Sequence, residues 1–239
     1  KQKITDYEVS LGKSSGVSTK VRLSEVETLQ YHLDTSFDVN VYIGKKKGHA
    51  SSGDLGKESL IRAIESACLI ARYTQEDPFN GLAPKERLAW QTPDLDLYHF
   101  WNLDAKKSID IAKECEEVAL QQPEIDNSDG AEISSFEGES IYTNSNGLVA
   151  RSKNTRHSLY CSLIAKRERE MQTAYEYSVA LDAGELSPAK QVGIEAARLA
   201  QQKLGSQNLS PQKCPILFTP RQSTGLFSQL LGALSGSRQ

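Results

Sequence analysis

Over residues 4–52 apolar and polar positions alternate with a period of two, which predicts half-buried strands. In residues 4–11, Tyr7, Val9 and Leu11 share one face while Ile4 falls out of phase. The small residues between Gly12 and Gly16 predict a turn, and residues 17–23 resume the alternation. Residues 26–33 and 37–43 repeat it, Gly44 to Gly48 marks a hairpin tip, and residues 49–52 return. The period then lengthens to that of a helix. Leu60, Ile64, Ala67, Cys68 and Ala71 form an apolar stripe that Asp54 is placed to cap. Residues 74–84, with two prolines and a glycine, end that helix. A second helix over about 104–121 turns Ile109, Ala112, Cys115, Val118 and Ala119 inward, and Pro123 stops it.

Alternation resumes in five segments, 132–136, 139–143, 148–153, 158–166 and 171–179, with a hairpin turn at Asn144-Ser145-Asn146-Gly147. Ser187 and Pro188 predict the start of a third helix, capped by the serine, with Val192, Ala196, Leu199 and Ala200 as its stripe and an end near Gly205. Residues 214–218 read as a short buried strand. Leu226, Phe227, Leu230, Leu231 and Leu234 then form an amphipathic stripe. Strands and helices come in blocks, which predicts an α+β fold of antiparallel β-meanders packed with a few helices. The expected divisions are 1–85 (meander plus helix), 86–210 (helix, meander, helix) and 211–239, the start of a β-rich C-terminal domain. The final stripe needs a surface that the following residues do not supply. The chain therefore reads as the front part of a longer protein, or as one that completes itself on a partner.

Composition narrows the function. Charged residues are 25% and hydrophobic ones 38%, ordinary for a globular protein. The net charge of −3 offers no basic footprint for nucleic acid. No apolar run reaches membrane-spanning length and no signal peptide is visible, so the expected location is cytoplasmic. Cys68, Cys115, Cys161 and Cys214 are widely spaced, with the first three on apolar faces, which suits reduced, buried thiols. No metallopeptidase helix motif, nucleophile elbow or phosphate-binding loop occurs.

Two polar clusters remain. Asp94 and Asp96 share one face of an extended segment and His99 points the other way, which suits hydrogen-bonded linker residues better than a metal site. At a strand start, Arg156 has the geometry to clamp a carboxylate and His157 to titrate near neutral pH. The alternative for that pair is a sheet-end salt bridge and a partly buried histidine. The long strands also have edges that an extended peptide can join, unless the rest of the fold covers them.

Residues 42–54, 70–74, 77–79, 93–97, 144–147, 155–158, 224–227 and 232–236 resemble, in order, segments of the PmbA/TldD family. The likeness is greater to its PmbA-like (TldE-like) branch than to its TldD-like branch. The resemblance implies a subunit of a cytoplasmic zinc metallopeptidase system that acts on unfolded peptides and peptide-antibiotic precursors. It implies a heterodimer with a TldD-like subunit, or a homodimer, with zinc held by the TldD-like partner and no catalytic or metal-binding residue in this chain. This chain would shape the chamber, with Arg156 and His157 as possible peptide or structural contacts. A second implied role is non-enzymatic: direct protein contact that modulates DNA gyrase or a toxin–antitoxin system.

Overall fold

The structure, a computed structural model, describes residues 3–235, and the chain divides into two compact units that meet between Gly205 and Ser206. In the first unit, β1 (Asp6–Arg22), β2 (Glu25–Ile43) and β3 (Lys46–Ser52) form one meander. Helices α1 (Lys57–Tyr73) and α2 (Ala105–Leu120) follow it. β4 (Ile125–Asn144), β5 (Val149–Arg167) and β6 (Glu170–Ala180) form a second meander, and α3 (Ala189–Lys203) closes the unit. All six strands lie in one antiparallel sheet of order β3-β2-β1-β4-β5-β6. The fold is α+β. The meanders of residues 1–85 and 86–210 are joined edge to edge where β1 pairs with β4.

The strands run longer than the sequence pattern suggests. The expected turn at Gly12–Gly16 does not form, because β1 is hydrogen-bonded on both sides, to β2 and to β4, through that whole stretch. Gly16 stays in the strand because the Phe136 ring fills the space a Cβ would take. Likewise 26–33 and 37–43 are parts of β2, 132–136 and 139–143 are parts of β4, and 148–153 and 158–166 belong to β5 with its lead-in. Between the meanders' returns, the Asn144–Gly147 turn forms as expected. The Asn144 side chain accepts hydrogen bonds from the N–H groups of Asn146 (3.1 Å) and Leu148 (3.4 Å).

One sheet face carries the helices. Val17, Val21, Ala131, Ile133, Leu159, Cys161 and Leu163 pack against Ala112, Cys115 and Ala119 of α2 and Val192, Ala196 and Ala197 of α3. At the other end of the same face, Phe37, Val39, Val41 and Ile43 pack against Ala63, Ala67 and Ala71 of α1. Ile64, expected in that stripe, is exposed. The α1 start also differs, since Gly56 occupies the cap position. Asp54 instead accepts from the Gly56 N–H (2.8 Å) and the Ser59 hydroxyl (2.6 Å). The third helix begins one residue late, with Pro188 rather than Ser187 at the cap. α2 and α3 approach so closely that a Cβ on Gly193 would meet the Cys115 carbonyl.

Polar groups inside this core are paired. Thr19 and Ser108 share a hydroxyl–hydroxyl bond of 2.7 Å. Buried Glu116 accepts from the N–H groups of Leu23 (2.9 Å) and Ser24 (2.8 Å), the two turn residues joining β1 to β2. Cys115 and Cys161 are buried together, and the neighbouring Cys161 sulfur and burial push the Cys115 thiol well above its ordinary range. Cys68 is half-buried, and Cys214 is exposed rather than buried.

In the second unit, α4 (Pro220–Ala233) forms where the leucine stripe predicts it. Residues 214–218 do not form the expected strand, and they are exposed. Among the described residues this unit holds one helix and no strand. The sequence-derived expectation for the end of the tail, Gly236 to Gln239, lies outside the described residues.

Candidate functional site

Between the α1 end and the α2–α3 end of the helix-bearing face, the sheet is roofed by an irregular strap, residues 97–103. Its attachment is a set of hydrogen bonds to the start of the buried part of β5. The Thr155 N–H donates to the Leu97 carbonyl (2.9 Å), and the Thr155 hydroxyl accepts from the His99 N–H (2.9 Å). That hydroxyl also donates to the Leu181 carbonyl (2.8 Å), so one threonine ties together the strap, β5 and the segment after β6.

Two residues on, His157 is fully buried. Its Nε2 lies 3.0 Å from the His99 carbonyl and its Nδ1 lies 2.9 Å from the Ser135 hydroxyl. A carbonyl only accepts, so Nε2 carries the proton there. Trp101 meets the imidazole edge-on, with ring centroids 5.3 Å apart. Both ring nitrogens and one ring edge of His157 are therefore engaged in holding the strap to the sheet. Arg156, one position earlier, projects to the opposite sheet face, where it is exposed and makes no ion pair among the described residues. Adjacent in sequence, these two side chains lie on opposite sides of the sheet.

Asp96 has φ of +52°, which turns the chain and brings its carboxylate back to His99. The extended-segment expectation of opposed directions therefore fails: His99 Nε2 lies 3.4 Å from Asp96 Oδ1 and 3.0 Å from the Asp96 carbonyl. His99 Nδ1 lies 3.8 Å from Asp182 Oδ2. Asp94 instead accepts from the Asp96 N–H (3.0 Å). His99 thus bridges two carboxylates on opposite ring nitrogens, an arrangement with no common point for a metal ion. Among the described residues no three His, Cys, Asp or Glu side chains gather as a group that could hold a metal ion.

Beneath and beside the strap lies a cavity of about 160 Å³, open on one side, whose mouth is framed by Tyr31, Phe100 and Trp101. Its floor is Val17 and Ser135, with Glu137 at one wall. Glu137 accepts from the Ser15 hydroxyl (2.9 Å) and the Tyr98 hydroxyl (2.8 Å). The Glu137 carboxylate holds the Tyr98 phenol above its ordinary pKa, so it remains a donor. The cavity offers an aromatic lip with its charged group already satisfied, which suits an apolar side chain better than a reacting bond. The sequence-derived candidates omit Tyr31, Glu137 and Trp101, since residues more than a hundred positions apart meet there only through β1–β4 pairing.

Comparison with known proteins gives a consistent picture. The family model for PmbA/TldA metallopeptidase domain 1 matches residues 7–71, and that for the PmbA/TldA metallopeptidase central domain matches residues 98–204. The chain is 36% identical to the metalloprotease PmbA homolog of Haemophilus influenzae over 230 residues, which is 96% of this chain and 51% of that protein. It is equally similar, at 36% over the same shares, to metalloprotease PmbA of Escherichia coli O157:H7. A crystal structure from Bacteroides thetaiotaomicron, described as a candidate modulator of DNA gyrase, superposes with a TM-score of 0.89 at 26% identity. That superposition covers 99% of this chain and 54% of the other. The chain spans about half the length of the curated relatives it matches.

Proposed function

The chain belongs to the PmbA/TldD metallopeptidase family, and we propose that it is a non-catalytic part of a cytoplasmic metallopeptidase system acting on unfolded polypeptides and peptide-antibiotic precursors. It shapes the chamber in which the polypeptide is held. The active zinc belongs to a TldD-like partner subunit, with which this protein forms a heterodimer. The observation that carries this reading is the engagement of His157. Buried, with both nitrogens bonded, it fastens the strap that forms the wall of an aromatic-lipped cavity and has no free atom for a reacting peptide. Arg156, on the opposite face, is not placed to assist it. His99, in the strap beside the cavity, sits between two aspartates.

The test is to purify the full-length protein with and without a TldD-like partner and to measure zinc content and cleavage of an unfolded peptide. Cleavage is expected only from the pair, and is expected to vanish with chelator. Cleavage by this protein alone that survives chelator would overturn the proposal. The description of the Bacteroides protein favours a second reading, a non-enzymatic modulator of DNA gyrase. Tight gyrase binding by a pair that cleaves no unfolded peptide would establish that reading instead.

A further inference from the structure

The outer edge of β2 is paired with β3 only from Phe37 to Ile43. Over residues 25–36 the strand is bonded to β1 on its inner side, and no described strand lies against its outer side. Alternate residues of an antiparallel strand direct their N–H and C=O groups to opposite sides, so about half of the main-chain groups in this stretch face outward without a strand partner. Protein sheets ordinarily blunt such an edge with proline, lysine, a short strand or a covering segment. Residues 25–36 contain neither proline nor lysine. The stretch is also apolar on one face: Leu29, Tyr31 and Leu33 follow one another at strand spacing, with Tyr31 71% and Leu33 70% exposed. Tyr31 is at the same time the lip of the cavity under the strap.

We propose that the free edge of β2, residues 25–36, is a docking site for an extended polypeptide strand in which apolar residues alternate with lysine or arginine. Main-chain hydrogen bonding to the edge fixes the occupant as a strand. Leu29, Tyr31 and Leu33 fix its apolar face, because cross-strand neighbours on one face lie within contact. The other face of the edge presents Asp34 and Glu27, and Glu25 begins it, while the stretch holds no lysine or arginine and its one histidine, His32, is bonded to the Ser18 hydroxyl (3.1 Å). Glu27 is already held by Lys20 at 2.6 Å, which leaves Asp34 and Glu25 to attract cationic side chains. This inference rests on the peptide-handling role proposed above and gives it a location.

The probe is a fluorescein-labelled peptide of about ten alternating valine and lysine residues, long enough to span the edge. Its binding to the full-length protein is followed by anisotropy, and the footprint by amide hydrogen exchange. Saturable binding with new protection in residues 25–36 is expected. N-methylation of one alternate set of peptide residues is expected to abolish binding while N-methylation of the other set leaves it. Leu33→Lys, an exposed change that leaves the core intact, is expected to weaken binding about ten-fold. The proposal is overturned by absent binding, by binding indifferent to both N-methylated sets, or by protection falling outside residues 25–36. Protection of that stretch that grows with protein concentration and needs no peptide would assign the edge to a second copy instead. Cleavage by the pair with its partner is measured alongside. Cleavage without edge protection rejects the edge site alone, and edge binding without any cleavage rejects the peptidase reading alone.

Discussion

At the scale of single residues, the least expected feature is a glycine-free turn. Leu23 and Ser24 both have positive φ, +51° and +63°, a conformation that two-residue hairpins usually assign to asparagine or glycine. Both N–H groups of this turn end on the Glu116 carboxylate, which compensates the strain. Glu116→Ala should therefore destabilise the fold by about 2–3 kcal/mol, since two charge-assisted bonds that hold the strained turn are lost. Ser24→Gly should stabilise it by about 0.5–1 kcal/mol, because relief of left-handed strain exceeds the extra chain entropy of glycine. Urea unfolding of the two variants checks both signs. Glu116 is legible in part from sequence: it lies four residues after Ala112 on the inward face of its helix, where a carboxylate has to have a partner. What that partner is depends on a turn more than ninety positions away, and no local pattern reports it.

Asp54 supplies a pH dependence at the same scale. The Ser59 hydroxyl and the Gly56 N–H at the start of α1 hold its carboxyl below the usual value of 3.8. Because the folded value is the lower one, its stabilisation is complete above the unfolded value and disappears as pH falls through the folded one. The stability difference between the native protein and Asp54→Asn should therefore be present at neutral pH and shrink below about pH 4. Chemical denaturation across that range measures it.

At the scale of elements, strand and helix identity was legible and strand continuity was not. Period-two alternation marks every strand of the sheet, yet Gly12, Gly16 and Gly138 interrupt the pattern without interrupting the strands. Partners on both sides hold these glycines extended, and that information belongs to the sheet rather than to the segment. The strap shows the same limit. Residues 97–103 have no regular pattern of their own and are ordered by Thr155 and His157 on β5. His157→Ala should cost about 3 kcal/mol and raise hydrogen exchange selectively in the strap, since a buried ring and two hydrogen bonds are lost. Equal protection of the strap in that variant would contradict a fastening role. Where α2 crosses α3, Gly193→Ala should destabilise by about 1–3 kcal/mol, because the Cys115 carbonyl already occupies the space the methyl needs. Thermal unfolding of the variant reads that cost.

At the scale of the whole chain, one sheet integrates two family domains, since the strands matched by the domain 1 and central-domain models share the β1–β4 ladder. Helices cover one face and frame a cavity, and the chemistry-bearing residues around it are taken up by structural bonds. The central claim is that this chain handles the polypeptide while the bond is cut elsewhere. Its most direct test is the turnover rate at saturating unfolded peptide, measured on the assembled pair with His99→Gln and Glu137→Gln introduced in this chain. A kcat within about two-fold of the native pair is expected for each variant, with any change confined to KM. A fall in kcat of about a hundred-fold in a variant that remains folded would place general acid–base chemistry in this chain and contradict the claim.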